Sequence, residues 1–387
     1  MRIESLIEQA EKLKEKSLYQ QSLKVFKRAL QEYVKQCDLE GMLHCMLSLG
    51  DTYRMTGDFV LAAKNYSQAI ELAKRHREPI WIADARVGLG LSLRALGRWK
   101  EALKLIRESV RTYRRTDDLE GLAFSLWAEA GALRIQGEIA ESIKTFRKSF
   151  AIFKELKNDQ GIGYCLCGLG GTHRVAGLIS DSLKYYNEAN TLFTRIKDRF
   201  GRAYSYCGIG NAYRMMKDYK RSLANFPKAV DLYQEIGDRV SYAYTLWSLG
   251  TTYKMMGNFQ KAHDNFTKAN MLFKRTKDPR GIIYCSLGLG EIDFLEGRKA
   301  NAMKRLRMAF HAAVKHSFTI EKCHAVTLLS HMNVGNLPIS PGVPPYQEDI
   351  KKGIKGWQGG FSEKTDNKCY NSLGLKLKFQ GLPFNIP

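Results

Sequence analysis

The sequence predicts an all-α fold: a solenoid of about eight helix–turn–helix units, closed by a capping helix and followed by an irregular tail. Three observations predict it. Glycines stand at Gly50, Gly90, Gly170, Gly210, Gly250 and Gly290, spaced by multiples of 40, with Ala130 in the vacant slot. Seven residues later comes a second column of Gly57, Gly97, Gly137, Gly177, Lys217, Gly257 and Gly297. After the second column, small and apolar residues recur at helical spacing, as at Ala62, Tyr66 and Ala69 or Ser222, Phe226 and Ala229. Self-similarity at a fixed period of 20–50 residues marks a repeat architecture.

Each element follows from local chemistry. The first helix of a unit starts at an aspartate (Asp38, Asp118, Asp198, Asp238, Asp278), whose carboxylate suits the unpaired N–H groups and positive end of a helix. A turn such as Gly57-Asp58-Phe59 or Gly257-Asn258-Phe259 supplies a residue that tolerates positive φ where that helix stops. The second helix carries apolar or small residues at i, i+3, i+7 and i+10, the stripe of a packed helix. The units span about 1–37, 38–77, 78–117, 118–157, 158–197, 198–237, 238–277 and 278–317, with a cap helix over 318–332. Pro227, after Phe226 in a second helix, removes one backbone bond and predicts a kink within 219–235.

Residues 333–387 form a separate Pro/Gly-rich tail holding six of the nine prolines. NLPISPGVPPYQ reads as an extended linker and SLGLKLKF alternates like a short strand. The default expectation is an appended segment that is partly disordered or lies along the solenoid. The sharper one is a pseudo-ligand folded into the groove, against which stands a tail charge of about +3 from seven Lys and four acids.

The sequence Leu49-Gly50-x-x-Tyr53 with Gly57, Ala62, Tyr66 and Ala69, whose core returns at Ile209-Gly210-x-x-Tyr213 and Leu249-Gly250-x-x-Tyr253, resembles the tetratricopeptide repeat. The resemblance covers residues 1 to about 317. Its period is 40 residues, against the usual 34, and no proline marks the inter-unit turn. The longer helices bring it nearest to the long-repeat class of Pins/LGN-type and rapsyn-type scaffolds. The resemblance implies a right-handed superhelix whose first helices line the concave surface. It further implies a groove that holds extended peptide, with first-helix Arg and polar side chains reading Glu side chains and backbone.

Chemistry is sparse. Gly208-Ile-Gly210 and its copies could open a phosphate-binding loop, but no strand precedes any of them, so they read as packing glycines inside helices. The eight histidines are scattered without a paired metal ligand; His263-Asp264 reads as a solvated pair. No P-loop, nucleophile elbow or HExxH motif is present. The expectation is a non-catalytic chain without cofactor or metal.

Two columns stand outside the packing consensus. Four residues after the first glycine column come Arg54, Arg94, Arg134, Arg174, Arg214 and Lys254, with Lys14 in the same register. Six residues before it come Phe124, Tyr164, Tyr204, Tyr244 and Tyr284, with His44 and Asp84 earlier. At ~100° per residue the aromatic column, Trp127 and Trp247, Asn211 and the basic column fall within about 80° of one another, opposite the packing face. A structural origin is open for both: a basic residue near a helix C-terminus is favoured by the helix dipole, and a neighbouring unit's acid could pair with it. The Asp cap of its own helix, ~24 Å away, could not.

The formal net charge of +22, from 61 Lys+Arg against 39 Asp+Glu, favours acidic partners. The expected function is that of an interaction scaffold or adaptor binding an extended, acidic peptide segment of another protein in a basic concave groove. Single-stranded RNA is the alternative, with rings stacking on bases; against it stands a contact spacing near ~10 Å set by the repeat. The first twenty residues lack the apolar core of a signal peptide, no run is long enough for a membrane span, and the eight cysteines show no zinc-type or compact disulfide spacing. They read as mostly buried thiols in a reducing cytosol.

Overall fold

The computed structural model describes residues 3–16, 18–332, 370, 373–376 and 381–387. Among them are 17 α-helices and no strand. The first helices of successive units are α1 Ile3–Glu15, α3 Leu39–Met55, α5 Pro79–Ala95, α7 Leu119–Gln136, α9 Asp159–Ala176, α11 Arg199–Met215, α13 Arg239–Met255 and α15 Pro279–Leu295. Their partners are α2 Tyr19–Gln36, α4 Phe59–Arg75, α6 Trp99–Arg115, α8 Ile139–Glu155, α10 Ile179–Arg195, α12 Tyr219–Ile236, α14 Phe259–Thr276 and α16 Lys299–Lys315. A last helix of the first type, α17 Thr319–Met332, follows. Helix α12 runs unbroken through Pro227.

The ends of these helices obey their sequence. Asp38, Asp118 and Asp198 accept the N–H groups of Gly41, Gly121 and Gly201 at 2.8–3.0 Å, and Asp238 and Asp278 each accept two backbone donors. Helix α5 lacks a side-chain cap and has Pro79 in its first turn, where the missing N–H costs nothing. Within units the chain turns on a left-handed residue, Gly57 (φ 79°) being typical and Lys217 (φ 63°) its substitute. Between units the same conformation falls on Cys37, Arg77, Asp117, Lys157, Lys197, Lys277 and Ser317, with φ between 52° and 60°.

The paired glycines are contact surfaces. A Cβ at Gly208 would lie 2.1 Å from the Tyr186 ring of the preceding unit, and one at Gly210 would lie 2.8 Å from the Phe226 ring of its own. Helix α11 is thereby pressed between two second-helix aromatics, at a distance no side chain would allow. This is the architectural reading of Gly-x-Gly.

The superhelix is wound tightly enough to touch itself. Arg239, at the start of α13, donates to the Thr56 carbonyl at 2.9 Å and to the Asp58 carboxylate at 2.7 Å, across 183 and 181 residues. The Trp99 indole donates to the His316 carbonyl at 2.9 Å across 217 residues. With helix starts 40 residues apart, one turn of the superhelix takes about five units. Closure of successive turns makes the inner surface a channel, and buried residues as far apart as Trp99, Val175, Ile283 and Phe318 share one apolar cluster.

Two expectations fail. Residues Leu373–Lys376 form a turn followed by irregular chain, so the described part of SLGLKLKF is not a strand; the Lys376 N–H donates instead to the carbonyl of Ala176 at 3.0 Å. The proline-rich stretch lies outside the described residues. Cys323 is disulfide-bonded, whereas Cys45, Cys165, Cys167 and Cys285 are buried thiols and Cys37 is an exposed one. Alternation was a poor guide because no strand exists among the described residues to pair with Leu373–Lys376, and spacing in the chain could not foresee a bridge at Cys323.

Candidate functional site

The basic column leaves the first helices near their C-terminal ends, and Arg94, Arg134 and Lys254 reach the next unit 37 residues further along. Lys254 illustrates the geometry: its ammonium pairs with the carboxylate of Glu291, both side chains fully buried. Arg94 and Arg134 make the same reach, but the residues they meet are glycines. A Cβ on Gly131 would lie 2.3 Å from Nη1 of Arg94, and one on Gly171 would lie 2.5 Å from Nη1 of Arg134. Their guanidinium groups therefore lie over bare helix backbone. Arg174 continues the row with Nε and Nη1 buried and unpartnered among the described residues.

Carboxylates neutralise the ends of the column and spare its middle. Lys14 pairs with Glu11 at 2.6 Å and Arg54 with Asp51 at 3.3 Å. Tyr66 donates to the same Asp51 at 2.6 Å. Among the described residues Arg94, Arg134 and Arg174 have no carboxylate within ion-pair distance. Burial, with the like charges of Arg134 and Arg54 adding to it, lowers Arg94 to about 10, so it stays charged at neutral pH. A row of cations facing one another in a confined channel is an unfavourable arrangement that an entering anion relieves. At the N-terminal end a cavity of about 430 Å³ opens, with Lys14, Arg54, Asp84 and Phe124 in its wall.

The aromatic column forms the seam between adjacent first helices. Phe124 stacks on Trp127 at 5.7 Å, and Trp127 meets Tyr164 edge-on at 6.4 Å while its indole donates to the Tyr164 carbonyl at 3.2 Å. The Tyr164 hydroxyl donates to Asp198 and that of Tyr244 to Asp278, each at 3.0 Å and each onto the cap of the next unit. Tyr204 packs against Phe200. Tyr284 donates to Glu321 at 2.8 Å and lies 4.8 Å from the Trp247 ring. Phe124 is the exposed member, at 40%.

In the C-terminal half the channel is occupied by the chain itself. The backbone N–H of Phe384 donates to Glu291 and its carbonyl accepts from the Lys254 ammonium at 2.8 Å, so one ion pair holds both polar atoms of one residue's backbone. Asn385 is read as closely: its Oδ1 accepts from Nη1 of Arg214, and its Nδ2 donates to the Arg214 carbonyl at 3.0 Å. Asn211 orients that arginine by accepting from its Nη2 at 3.1 Å, and the guanidinium lies over the Trp247 ring. Phe384 and Ile386 are buried with Tyr370 in the apolar cluster, and the Tyr370 hydroxyl is 2.8 Å from Nδ1 of His324. All the channel groups involved sit on α11, α13, α15 and α17, so the first helices face inward.

The charge argument against tail docking does not apply to what docks. Gly381–Pro387 (GLPFNIP) contains no charged side chain. Sequence reasoning also passed over Glu291, Gly131, His324 and Phe384-Asn385. The signal for Glu291 was present, an acid that Asp51 shares in the register of Gly171 and Asn211. No local signal marks the segment, because its partners are 93 to 171 residues away.

Among the described residues no group of His, Cys, Asp and Glu could hold a metal ion, and no helix is long and apolar enough to cross a membrane.

The tetratricopeptide repeat family profile matches residues 81–155 and 199–269. No curated protein sequence matches the chain. Solved structures do. NprR in complex with its cognate peptide NprX aligns at TM-score 0.61 and 14% identity, over 96% of this chain and 98% of that one. A Rap protein complexed with Competence and Sporulation Factor aligns at 0.58 and 14%, over 85% and 96%. The apo form of RapI aligns at 0.54 and 14%, over 71% and 98%. At these identities the likeness concerns the fold.

Proposed function

Because the tetratricopeptide repeat profile matches two stretches of this chain and its fold is a helical-repeat solenoid, we propose that it is a non-catalytic scaffold whose inner channel binds an extended, acidic segment of a partner protein. The observation that carries the reading is the run of first-helix arginines, Arg94, Arg134 and Arg174, that lack a carboxylate among the described residues, while Arg54 and Lys254 have one and Arg214 meets the side-chain amides of Asn211 and Asn385. Buried guanidinium donors without acceptors, as at Arg174, are costly, and carboxylates satisfy them with short, often bidentate bonds. The repeat spaces these arginines along one line, which suits a ligand in extended conformation. Phe124, Trp127 and the tyrosines beside them add apolar contact area.

Support from similar folds is of the same kind: the NprR structure, aligned over nearly its whole length, was solved with its cognate peptide.

The test is fluorescence polarisation of a labelled Glu-rich dodecapeptide and a labelled dodecamer of single-stranded RNA against wild type and an Arg134→Glu/Arg174→Glu variant. With charge-assisted bonds at about 1.5–3 kcal/mol each, the variant should lose at least tenfold in peptide affinity. Unchanged peptide binding by a folded variant rejects the channel, and RNA binding that exceeds peptide binding and falls in the variant transfers the site to nucleic acid.

A further inference from the structure

We propose that residues 382–387 are a built-in occupant of a peptide-recognition site in the channel's C-terminal half, and that the partner peptide carries the same apolar–Asn–apolar chemistry there and must displace them. This rests on the channel being a peptide site and adds what that site reads. It also makes the acidic part of the ligand only half of it.

The local design points to recognition of peptide rather than filling of space. Lys254 and Glu291 engage the carbonyl and N–H of one residue, Phe384; any residue but proline offers that pair. The Asn385 side chain meets the Arg214 guanidinium and the Arg214 carbonyl together, which requires an acceptor and a donor on one planar group. An asparagine fits, a carboxylate has no donor, and an aliphatic side chain leaves both buried partners unmet. Arg214 is itself held by Asn211 and the Trp247 ring. The apolar floor takes a ring at Phe384, beside His324 at 5.9 Å and Tyr370 at 6.3 Å.

The direction of the segment links this half-site to the other. The chain passes from Lys254 at Phe384 to Arg214 at Asn385, and so heads down the basic column toward Arg174. The chain's own segment places no carboxylate side chain there, since GLPFNIP has none. A ligand with Phe-Asn followed within a few residues by Glu or Asp would engage both halves, whereas Gly381–Pro387 carries no acidic side chain for the second. That difference gives a partner its advantage over an occupant tethered at high effective concentration.

The experiment uses the full chain and a labelled peptide of sequence GLPFNIP, followed by polarisation. Wild type, whose site is filled, should bind at least tenfold more weakly than a Phe384→Ala/Asn385→Ala variant. The Asn→Ala peptide should lose at least tenfold on that variant, and a peptide extended by three glutamates should gain at least tenfold. If circular dichroism shows the double variant unfolded, Asn385→Ala alone, which leaves Phe384 in the apolar cluster, takes its place with the same expectations. Equal binding by wild type and variant, or a folded variant indifferent to the Asn→Ala change, overturns the proposal. Loss of the glutamate gain alone, with GLPFNIP binding intact, rejects the acidic reading of Arg94, Arg134 and Arg174 and leaves this half-site standing.

Discussion

Arg94 lies over Gly131 as Lys254 lies against Glu291, in the same register of the repeat and on the same face of the helix. The two pairs differ only in whether the receiving unit supplies a carboxylate. Where it does, the cation is spent on the fold. Where it does not, the cation is the one we propose a ligand meets.

Supplying the missing carboxylate should therefore silence the site. Gly131→Glu places an acid under Arg94, and the nearest obstruction to its Cβ is the far end of the Arg94 side chain, which can move. Removing a mid-helix glycine also gains up to ~1 kcal/mol in helix propensity. The variant is expected to melt no lower than wild type and to bind the Glu-rich peptide at least fivefold more weakly by polarisation.

The inter-unit turns store strain that can be released one at a time. Lys197 holds φ 58° on the surface between α10 and α11, a conformation disfavoured for any residue with a Cβ. Lys197→Gly should stabilise the chain by about 1 kcal/mol, read as a raised midpoint in urea. A lowered midpoint would mean that the side chain contributes more than its backbone costs.

Acid should weaken the end of the channel that holds the segment. Burial lowers His324 to about 4 from an ordinary 6.5; the nearby Glu321 carboxylate raises it and Arg280 lowers it further. Its ring faces the Tyr370 hydroxyl as well. The folded chain keeps this histidine neutral while the unfolded chain takes up a proton below pH 6.5. Its contribution is thus fully present above about 6.5, falls as pH drops, and levels off below about 4. His324→Gln should flatten the dependence of urea midpoint on pH across that window, and a parallel slope in wild type and variant would contradict it.

Much of the fold was legible because each unit repeats the same local solution. Asp38 and its copies announce helix starts, Gly57 and its copies announce stops, and Gly208 and Gly210 record how closely Tyr186 and Phe226 approach. None of these requires knowledge of distant residues. The tight winding did require it: nothing near Arg239 or Asp58 in the sequence says that they meet, because superhelical pitch is the sum of small rotations over about five units. The candidate site divides in the same way. The basic column could be read as a column, but which members were already neutralised depended on single residues, Asp51, Gly131 and Glu291, in a register set by inter-unit packing. The docked segment was hidden further, since a tail charge averaged over 333–387 says nothing about the uncharged residues at its end.

The most direct measurement of the central claim is where a bound peptide touches the chain. A Glu-rich peptide with a benzophenone at its centre, photolysed in complex and mapped by mass spectrometry, should crosslink to the first helices α5, α7 and α9, near Arg94, Arg134 and Arg174. Crosslinks confined to the outward faces of second helices such as α6, α8 and α10 would contradict a ligand inside the channel.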